Sequence, residues 1–239
     1  MTFGFTWSQL QERIGFPLIY AKLWGSRSHN TELPDSDWDY LAVYQVPTRN
    51  LLSLSATLPR PETVDGKGPD FEAHEVGKFC ELLLKGGPAV LEMLFTDRHH
   101  FVGASLSWNE LLNHREQFIT QRAVTQYLGY ARGQLARLDS DRPLHTKGGS
   151  YNTKWAYHIV RLVQDAKRLA QGKPPVVWRE GPEREYLMQV REGKVPRQEI
   201  VAMLEDALYD PSLQKPVDIP TEGPREWLNE WLLDLRGVE

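Results

Sequence analysis

Residues 17–40 decide the fold, and they read PLIYAKLWGSRSHNTELPDSDWDY. Residues 17–24 form a short, mostly apolar run that predicts a buried β-strand. The pair Gly25-Ser26 ends this strand, and a polar loop follows through Pro34. Residues 38–46 alternate in polarity and are rich in β-forming residues, which predicts a second strand. The segment therefore predicts two strands joined by a loop that begins with a Gly-Ser turn and ends in a group of aspartates.

The aspartates at the start of the second predicted strand suggest a metal site. Side chains two residues apart on a strand point the same way, so the carboxylates of Asp37 and Asp39 are expected side by side. Adjacent negative charges repel each other unless a cation lies between them, which favours a divalent metal ion. The turn at Gly25 and Ser26 offers backbone N–H groups and a hydroxyl, and glycine lets a phosphate approach the backbone closely.

Two other interpretations of the aspartates compete with this hypothesis. An isolated Asp-x-Asp pair is more often part of a solvated turn than of a catalytic site. Asp35, Asp37 and Asp39 also match the first three ligand positions of an EF-hand calcium loop. The calcium interpretation fails because Tyr40 stands where that loop requires glycine and Val46 where it requires glutamate.

Composition and charge exclude several classes of protein. The chain has 239 residues, of which 41% are hydrophobic and 25% charged, as in a globular protein with a sizeable core. Its formal net charge of −4 excludes a polycation that coats nucleic acid nonspecifically. No stretch approaches the about 20 apolar residues of a membrane span, and no signal-peptide pattern opens the sequence. A single cysteine excludes an intramolecular disulfide, so we expect a cytoplasmic protein with no membrane partner.

The pattern changes along the chain from short strands to helices. Thr6 is a predicted N-cap for a helix that ends near Ile14, and residues 70–76 predict a further strand. From residue 107 onward the apolar spacing is helical. The predicted helices lie at about 75–85, 108–138, 151–171, 183–192, 196–209 and 224–236. The predicted fold class is α+β, with a small mixed-sheet domain in residues 1–105 followed by an α-helical domain in residues 106–239.

A third carboxylate is predicted on the strand at residues 70–76. Alternation places Asp70, Glu72 and His74 on one face of this strand. We favour Asp70 as the partner of the aspartate pair, because it stands at the start of the strand, and we keep Glu72 as the alternative. Asp70 is equally consistent with a plain turn residue after Gly68-Pro69.

The predicted helix at 151–171 carries a polar stripe. Lys154, His158, Arg161 and Asp165 follow one another at spacings that place them on one face. The first three are potential donors to a triphosphate or to the pyrophosphate that leaves it. The alternative is an ordinary solvated face, in which Arg161 and Asp165 form a surface pair worth about 0.3 kcal/mol.

The Gly-Ser turn followed by Asp-x-Asp resembles the signature of the DNA polymerase β nucleotidyltransferase superfamily. Residues 25–40 look like one of its branches, the predicted nucleotidyltransferases often found near RNA-repair genes. Residues 78–92, 127–135 and 158–162 are similar to further segments of that branch. The resemblance therefore spans roughly residues 18–200, and it implies a polymerase β-like palm domain followed by helices.

The resemblance implies a two-metal mechanism. Two Mg²⁺ (or Mn²⁺) ions align a nucleoside triphosphate and activate an acceptor hydroxyl for in-line attack on the α-phosphorus, with release of pyrophosphate. Asp37 and Asp39 would bind both ions, with Asp70 or Glu72 as the third metal ligand. Gly25 and Ser26 would cradle the β- and γ-phosphates, Arg27 would neutralise part of their charge, and Lys154, His158 and Arg161 would contact the triphosphate.

The acceptor of the nucleotide is left open by these residues. The resemblance favours an RNA or DNA end, and the alternatives are a protein hydroxyl or a small molecule. A polymer acceptor predicts a basic track leading to Asp37, whereas a small acceptor needs only a closed cleft. A non-catalytic nucleotide-binding module is a further alternative, and it predicts that the third carboxylate is absent.

Overall fold

The strands form one mixed sheet of four. The computed structural model describes residues 4–54, 70–139 and 151–238. The strands are β1 (Leu18–Trp24), β2 (Asp39–Tyr44), β3 (Asp70–Glu75) and β4 (Phe101–Ala104). Their order in the sheet is β3-β2-β1-β4; β2 and β3 run parallel, and the other neighbours are antiparallel.

The strand register brings three chain segments together at one end of the sheet. Trp24, the last residue of β1, pairs with Asp39, the first residue of β2. Asp39 in turn pairs with Asp70, the first residue of β3. Because β1 runs antiparallel to β2 and β3, its carboxyl end meets their amino ends. The Gly-Ser turn after Trp24 therefore lies beside both aspartates.

Helices cover both faces of the sheet. Among the described residues, five α-helices precede β4: α1 (Trp7–Ile14), α2 (Gly25–Ser28), α3 (Thr48–Leu52), α4 (Val76–Leu84) and α5 (Pro88–Leu94). After β4 come α6 (Leu106–Asn113), α7 (Gln121–Leu138), α8 (Thr153–Leu169), α9 (Gly181–Arg191), α10 (Arg197–Tyr209), α11 (Pro211–Gln214) and α12 (Arg225–Leu235). One face of the sheet packs against Leu10 of α1 in a small core. The other face, which carries Tyr20, Leu41 and Val43, joins the large helical core.

The predicted fold class is confirmed: a mixed-sheet region is followed by a helical region. The predicted cap at Thr6 is also present, because its side chain accepts a hydrogen bond from the backbone N–H of Gln9. The single helix predicted at 108–138 is wrong. The chain forms α6, a 3₁₀ turn at Arg115–Phe118, and then α7. Thr120 starts α7 afresh by accepting a hydrogen bond from the backbone N–H of Ala123.

The C-terminal helix returns to the sheet region. Arg236 Nη2 lies 2.8 Å from Glu75 Oε1, at the end of β3. Trp231 Nε1 donates to the backbone oxygen of Ser107 at 3.2 Å. The division of the chain at residue 105 stays a prediction. In the part of the chain that the structure describes, no helix is both long and apolar enough to cross a bilayer.

Candidate functional site

Gly25 is the residue that lets the acidic end of the sheet assemble. Its φ of +68° lies in the left-handed region that favours glycine. A Cβ at this position would overlap Oδ2 of Asp39. A larger residue here would displace the Asp39 carboxylate. The position therefore requires glycine for two reasons: its backbone conformation and the lack of space for a Cβ.

Three carboxylates influence one another at this end of the sheet, and we call Asp37, Asp39 and Asp70 the acidic end. Burial raises the pKa of Asp39, and the nearby charges of Asp37 and Asp70 raise it further, against the opposing effect of Lys154. Oδ1 of Asp70 is buried and has no hydrogen-bond partner. The structure thus brings together the aspartate pair and the favoured third carboxylate.

Glu72, the alternative third carboxylate, lies two residues further along β3. It pairs with Leu41 in the ladder, whereas Asp70 pairs with Asp39. Its Oε1 lies 3.6 Å from Nε2 of His74, and its side chain is half exposed. Asp70 therefore stands closer in register to the aspartate pair.

Asp37 reaches the site from a loop, and not from the strand. The expectation that Asp37 and Asp39 share a strand face is wrong, because β2 begins at Asp39. Arg27 holds the loop by donating from Nε to the Asp37 backbone oxygen at 3.1 Å and from Nη2 to the Ser36 backbone oxygen at 2.7 Å. Its guanidinium also lies 4.5 Å from the centre of the Trp38 ring. Arg27 therefore positions the loop that carries Asp37.

A cleft of about 420 Å³ separates the acidic end from α8. Its acidic side includes Asp35, and its opposite side carries cationic and polar groups. The predicted residues that line it are Gly25, Ser26, Asp37, Asp39, Lys154, His158 and Arg161. Others that line it, not predicted from the sequence, include Trp24, His29, Tyr157 and Arg191.

The polar stripe of α8 is mostly buried, so the solvated-face interpretation is wrong. Arg161 is 5% exposed and Asp165 is fully buried. Arg161 Nη1 forms an ion pair with Oε1 of Glu92, and it lies 3.9 Å from Oδ2 of Asp165. Its Nε is buried and has no hydrogen-bond partner. Desolvation lowers the pKa of His158 to about 3, with Arg161 adding to the effect, so His158 is a neutral hydrogen-bonding group.

Behind the cleft lies a group of buried charges, which we call the buried ionic cluster: Lys22, Glu92, Arg161, Asp165 and Arg179. Arg179 Nη2 lies 2.6 Å from Asp165 Oδ1. Burial would lower the pKa of Arg161, but Glu92 and other neighbours outweigh it and raise that pKa. The charges alternate in sign, as buried ion pairs require.

Sequence reasoning missed Glu92, Arg179 and Lys22 of this cluster. Lys22 lies inside β1. Its Nζ donates to Oγ1 of Thr96 at 2.6 Å and lies 4.9 Å from the centre of the Trp24 ring. Burial lowers the pKa of this amine to about 7, against the attraction of Glu92. The sequence does hold one signal for Lys22, its position inside an apolar strand. A lysine there is rarely buried without a partner, so a buried anion nearby could have been predicted.

Arg191 and Tyr157 were also missed, and no local pattern marks them. Arg191, at the end of α9, donates to the backbone oxygen of Thr31 and lies 5.4 Å from the centre of the Tyr157 ring. The Tyr157 hydroxyl lies 2.9 Å from Oγ1 of Thr31. These contacts join segments far apart in the chain, so only the tertiary structure reveals them.

The acidic end has the chemistry of a ligand set for a hard divalent cation. Carboxylate oxygens are the preferred ligands of Mg²⁺ and Mn²⁺. A cation at this position would offset the repulsion at Asp39 and give the unpartnered oxygen of Asp70 a partner. Among the described residues, no group of three or more His, Cys, Asp or Glu side chains is arranged to hold a metal ion by itself. Water and substrate oxygens would therefore have to supply further ligands, as Mg²⁺ sites commonly require.

Comparison with known proteins identifies the family of the chain. Residues 6–208 match the RNA repair pathway DNA polymerase beta family. The chain is also 28% identical, over 128 residues, to an uncharacterised 38.9 kDa protein in the nrdC-mobD intergenic region of Enterobacteria phage T4. That alignment covers 50% of this chain and 38% of the phage protein. Because the family match covers most of its length, the chain belongs to the RNA repair pathway DNA polymerase beta family.

Proposed function

We propose that the protein transfers a nucleoside monophosphate from a nucleoside triphosphate to the terminal hydroxyl of an RNA or DNA strand, releasing pyrophosphate. The observation that carries the proposal is the cleft itself, which sets Asp37 and Asp39 opposite Lys154, Arg161 and Arg191. A metal-bound triphosphate needs this polarity, with carboxylates for the cation and cationic groups for the phosphates. Membership of the family supports the same class of reaction.

The three carboxylates of the acidic end would hold Mg²⁺ or Mn²⁺. When bound, the ions polarise the α-phosphoryl group and lower the pKa of the acceptor hydroxyl. The chain's own contribution is to keep three like charges near one another, with Lys154 and Arg27 opposing the repulsion at Asp39. Gly25 supports this by leaving room for the Asp39 carboxylate, and Arg27 supports it by fixing the Asp37 loop.

The opposite wall would bind the triphosphate. Arg161 lines the cleft, and Glu92 holds Nη1 of its guanidinium. Its Nε is a buried donor without a hydrogen-bond partner. Exposed Lys154 adds a mobile positive charge, and neutral His158 adds a hydrogen-bonding group without charge. Gly25 and Ser26 would face the terminal phosphates, because both line the cleft beside Asp39.

The position of Asp70 favours an enzyme over a non-catalytic nucleotide-binding module. The module hypothesis predicts that the third carboxylate is absent, whereas Asp70 pairs in register with Asp39. Protein or small-molecule adenylylation requires the same metal and triphosphate chemistry, so the choice of acceptor has to be measured.

The test is transfer of label from each α-³²P nucleoside triphosphate in the presence of Mg²⁺. Parallel reactions contain a single-stranded RNA, a single-stranded DNA, or no added acceptor. Residues that only hold metal ligands in place are typically worth about 10–100-fold in activity. We therefore expect Asp37→Asn, Asp39→Asn and Asp70→Asn each to reduce transfer by more than about 100-fold. Asp206→Asn is the matched control, because this aspartate lies exposed on α10.

Each outcome bears on one part of the proposal. Glu72→Gln is expected to keep most of the activity, and a loss equal to that of Asp70→Asn would reassign the third ligand. Full activity in the double variant Asp37→Asn/Asp39→Asn would overturn the metal-dependent reaction. Label that accumulates on the protein or on a small molecule, and on neither strand, would overturn the strand acceptor while leaving the nucleotidyl transfer intact.

A further inference from the structure

A second cavity, of about 600 Å³, opens next to the turn that follows α5. One side is formed by residues 95–99, and the other by residues 174–178 after α8. Arg115 and Arg168 complete its lining. Arg98 also lines the cavity. We call the cavity the arginine groove after these three arginines.

The arginines of the groove carry unbalanced positive charge. In the described part of the chain, none of Arg98, Arg115 and Arg168 has an acidic partner. Arg115 lies 5.5 Å from the centre of the Phe95 ring, and Arg168 donates from Nε to the backbone oxygen of Pro174 at 3.1 Å. The one carboxylate in the groove lining, Asp97, is already engaged by Nδ1 of His99 at 2.6 Å. The groove therefore favours a polyanion.

Aromatic rings accompany these charges. Phe95 and Trp178 both line the groove and are partly exposed. Trp178 stacks on His100, with ring centroids 4.7 Å apart and ring planes 28° from parallel. Both ring nitrogens of His100 are buried and have no hydrogen-bond partner. Exposed rings among arginines suit stacked bases and a phosphate backbone together.

The groove and the cleft share a wall. His29 lines the cleft, and its Nδ1 lies 2.8 Å from the backbone oxygen of Val177, which lines the groove. Thr96, on the groove side, accepts the hydrogen bond from Lys22 of the buried ionic cluster. At this wall a residue that lines the cleft is therefore in direct hydrogen-bond contact with a residue that lines the groove.

We propose that the arginine groove binds the sugar–phosphate backbone of a single-stranded nucleic acid whose terminal hydroxyl enters the cleft. The inference rests on the proposed function, because it assigns the surface that holds the acceptor strand. Guanidinium groups bind phosphates of any sequence, and stacking on Phe95 and Trp178 accepts any base. The expected recognition is therefore independent of sequence and depends on salt.

The experiment measures strand binding without turnover. Fluorescence anisotropy follows a labelled 20-nucleotide single-stranded RNA, and separately a DNA of the same sequence, over a series of salt concentrations. The test variant is Arg98→Ala/Arg115→Ala, since both side chains are exposed and neither is engaged in an ion pair. The matched control is Arg13→Ala/Arg225→Ala, which removes the same charge from two exposed arginines outside the groove. Arg13 lies over the Phe5 ring at 4.6 Å, as Arg115 lies over Phe95.

We expect the groove variant to bind the strands about 10-fold more weakly and to reduce the log–log salt slope by about 1.4. The control and the wild type are expected to agree, and the affinity for a fluorescent nucleotide should be the same in all three. Equal loss for RNA and DNA indicates recognition of the shared backbone, and loss for RNA alone indicates additional contacts to the 2′-hydroxyl.

Two results would overturn the proposal: wild type that binds neither strand, or a groove variant indistinguishable from the control. Failure of the groove is separable from failure of the nucleotidyl transfer. If only the groove proposal fails, the aspartate variants still abolish label transfer while the groove variant binds the strands normally. If only the nucleotidyl transfer fails, the strands bind through the groove, but the wild type transfers no label.

Discussion

The acidic end and the buried ionic cluster lie on either side of one cleft and use carboxylates in opposite ways. At the acidic end, burial raises the pKa of Asp39, and repulsion from Asp37 and Asp70 raises it further. In the cluster, Glu92 and Asp165 lie against guanidinium groups and are fully buried. At the acidic end like charges lie near one another, whereas in the buried ionic cluster each carboxylate lies against a guanidinium group of opposite charge.

This difference separates function from stability. Charges that the fold leaves unbalanced are those available to bind a ligand. Charges that the fold balances in a dry interior hold their neighbours in place, and removing one partner leaves the other buried and unpaired. Arg161 belongs to the cluster and also lines the cleft. Glu92 holds its Nη1, and its buried Nε has no hydrogen-bond partner.

The largest stability effect is expected for Glu92→Ala. Removing this carboxylate takes away the nearest anion of Arg161 and the carboxylate that attracts Lys22, and both are buried. This should lower the free energy of unfolding by about 3–5 kcal/mol in urea denaturation. Glu81→Ala is the control, since Glu81 forms an exposed pair with Lys78 at 3.4 Å and such pairs are worth at most about 1 kcal/mol. Equal losses in the two variants would contradict the role given to the cluster.

Gly25→Ala should damage the acidic end through geometry. The left-handed backbone conformation costs an alanine about 1–2 kcal/mol, and the new Cβ displaces the Asp39 carboxylate. A displacement of this kind should reduce label transfer by about 100-fold. Gly15→Ala provides the comparison, because Gly15 has a φ of +77° and open space around it. It should lose similar stability and no activity; a parallel loss of activity would contradict the contact with Asp39.

Lys22 should make the stability of the cluster depend on pH. Burial lowers its pKa to about 7 in the folded state, well below the unfolded value, so the unfolded state binds more protons above this pH. Stability should therefore rise with pH from about 7 towards the ordinary lysine pKa, by up to about 1.4 kcal/mol per pH unit. Urea denaturation of wild type and Lys22→Met at pH 7, 8 and 9 measures the difference. Parallel pH profiles would contradict this assignment.

Asp39→Asn should give the smallest stability change. The pKa of Asp39 is raised, so its ionised form is disfavoured by folding, and that penalty disappears as the pH falls through the folded pKa. Removing the charge at pH 7 should leave stability unchanged or raise it by less than about 1 kcal/mol. Addition of Mg²⁺ should raise the melting temperature of the wild type more than that of the variant. If Asp39→Asn lost as much stability as Glu92→Ala, the contrast drawn between the acidic end and the buried ionic cluster would be contradicted.

Much of the fold could be predicted from local patterns. The strand at residues 17–24 and the cap at Thr6 follow from apolar runs and capping chemistry that act over a few residues. The helix predicted at 108–138 was wrong because apolar spacing continued across a break. Helix α7 begins after this break with a new N-cap at Thr120. The prediction followed the apolar spacing and did not use this cap.

The sequence by itself determined that carboxylates follow a Gly-Ser turn, because that spacing is written in consecutive residues. Only the tertiary structure decided which of them meet. Strand register set Asp70, and not Glu72, opposite Asp39. Burial turned the polar stripe of α8 into part of an ionic cluster with Glu92 and Lys22, residues far away in the chain. Register and burial arise from contacts between distant segments, so a local pattern cannot specify them.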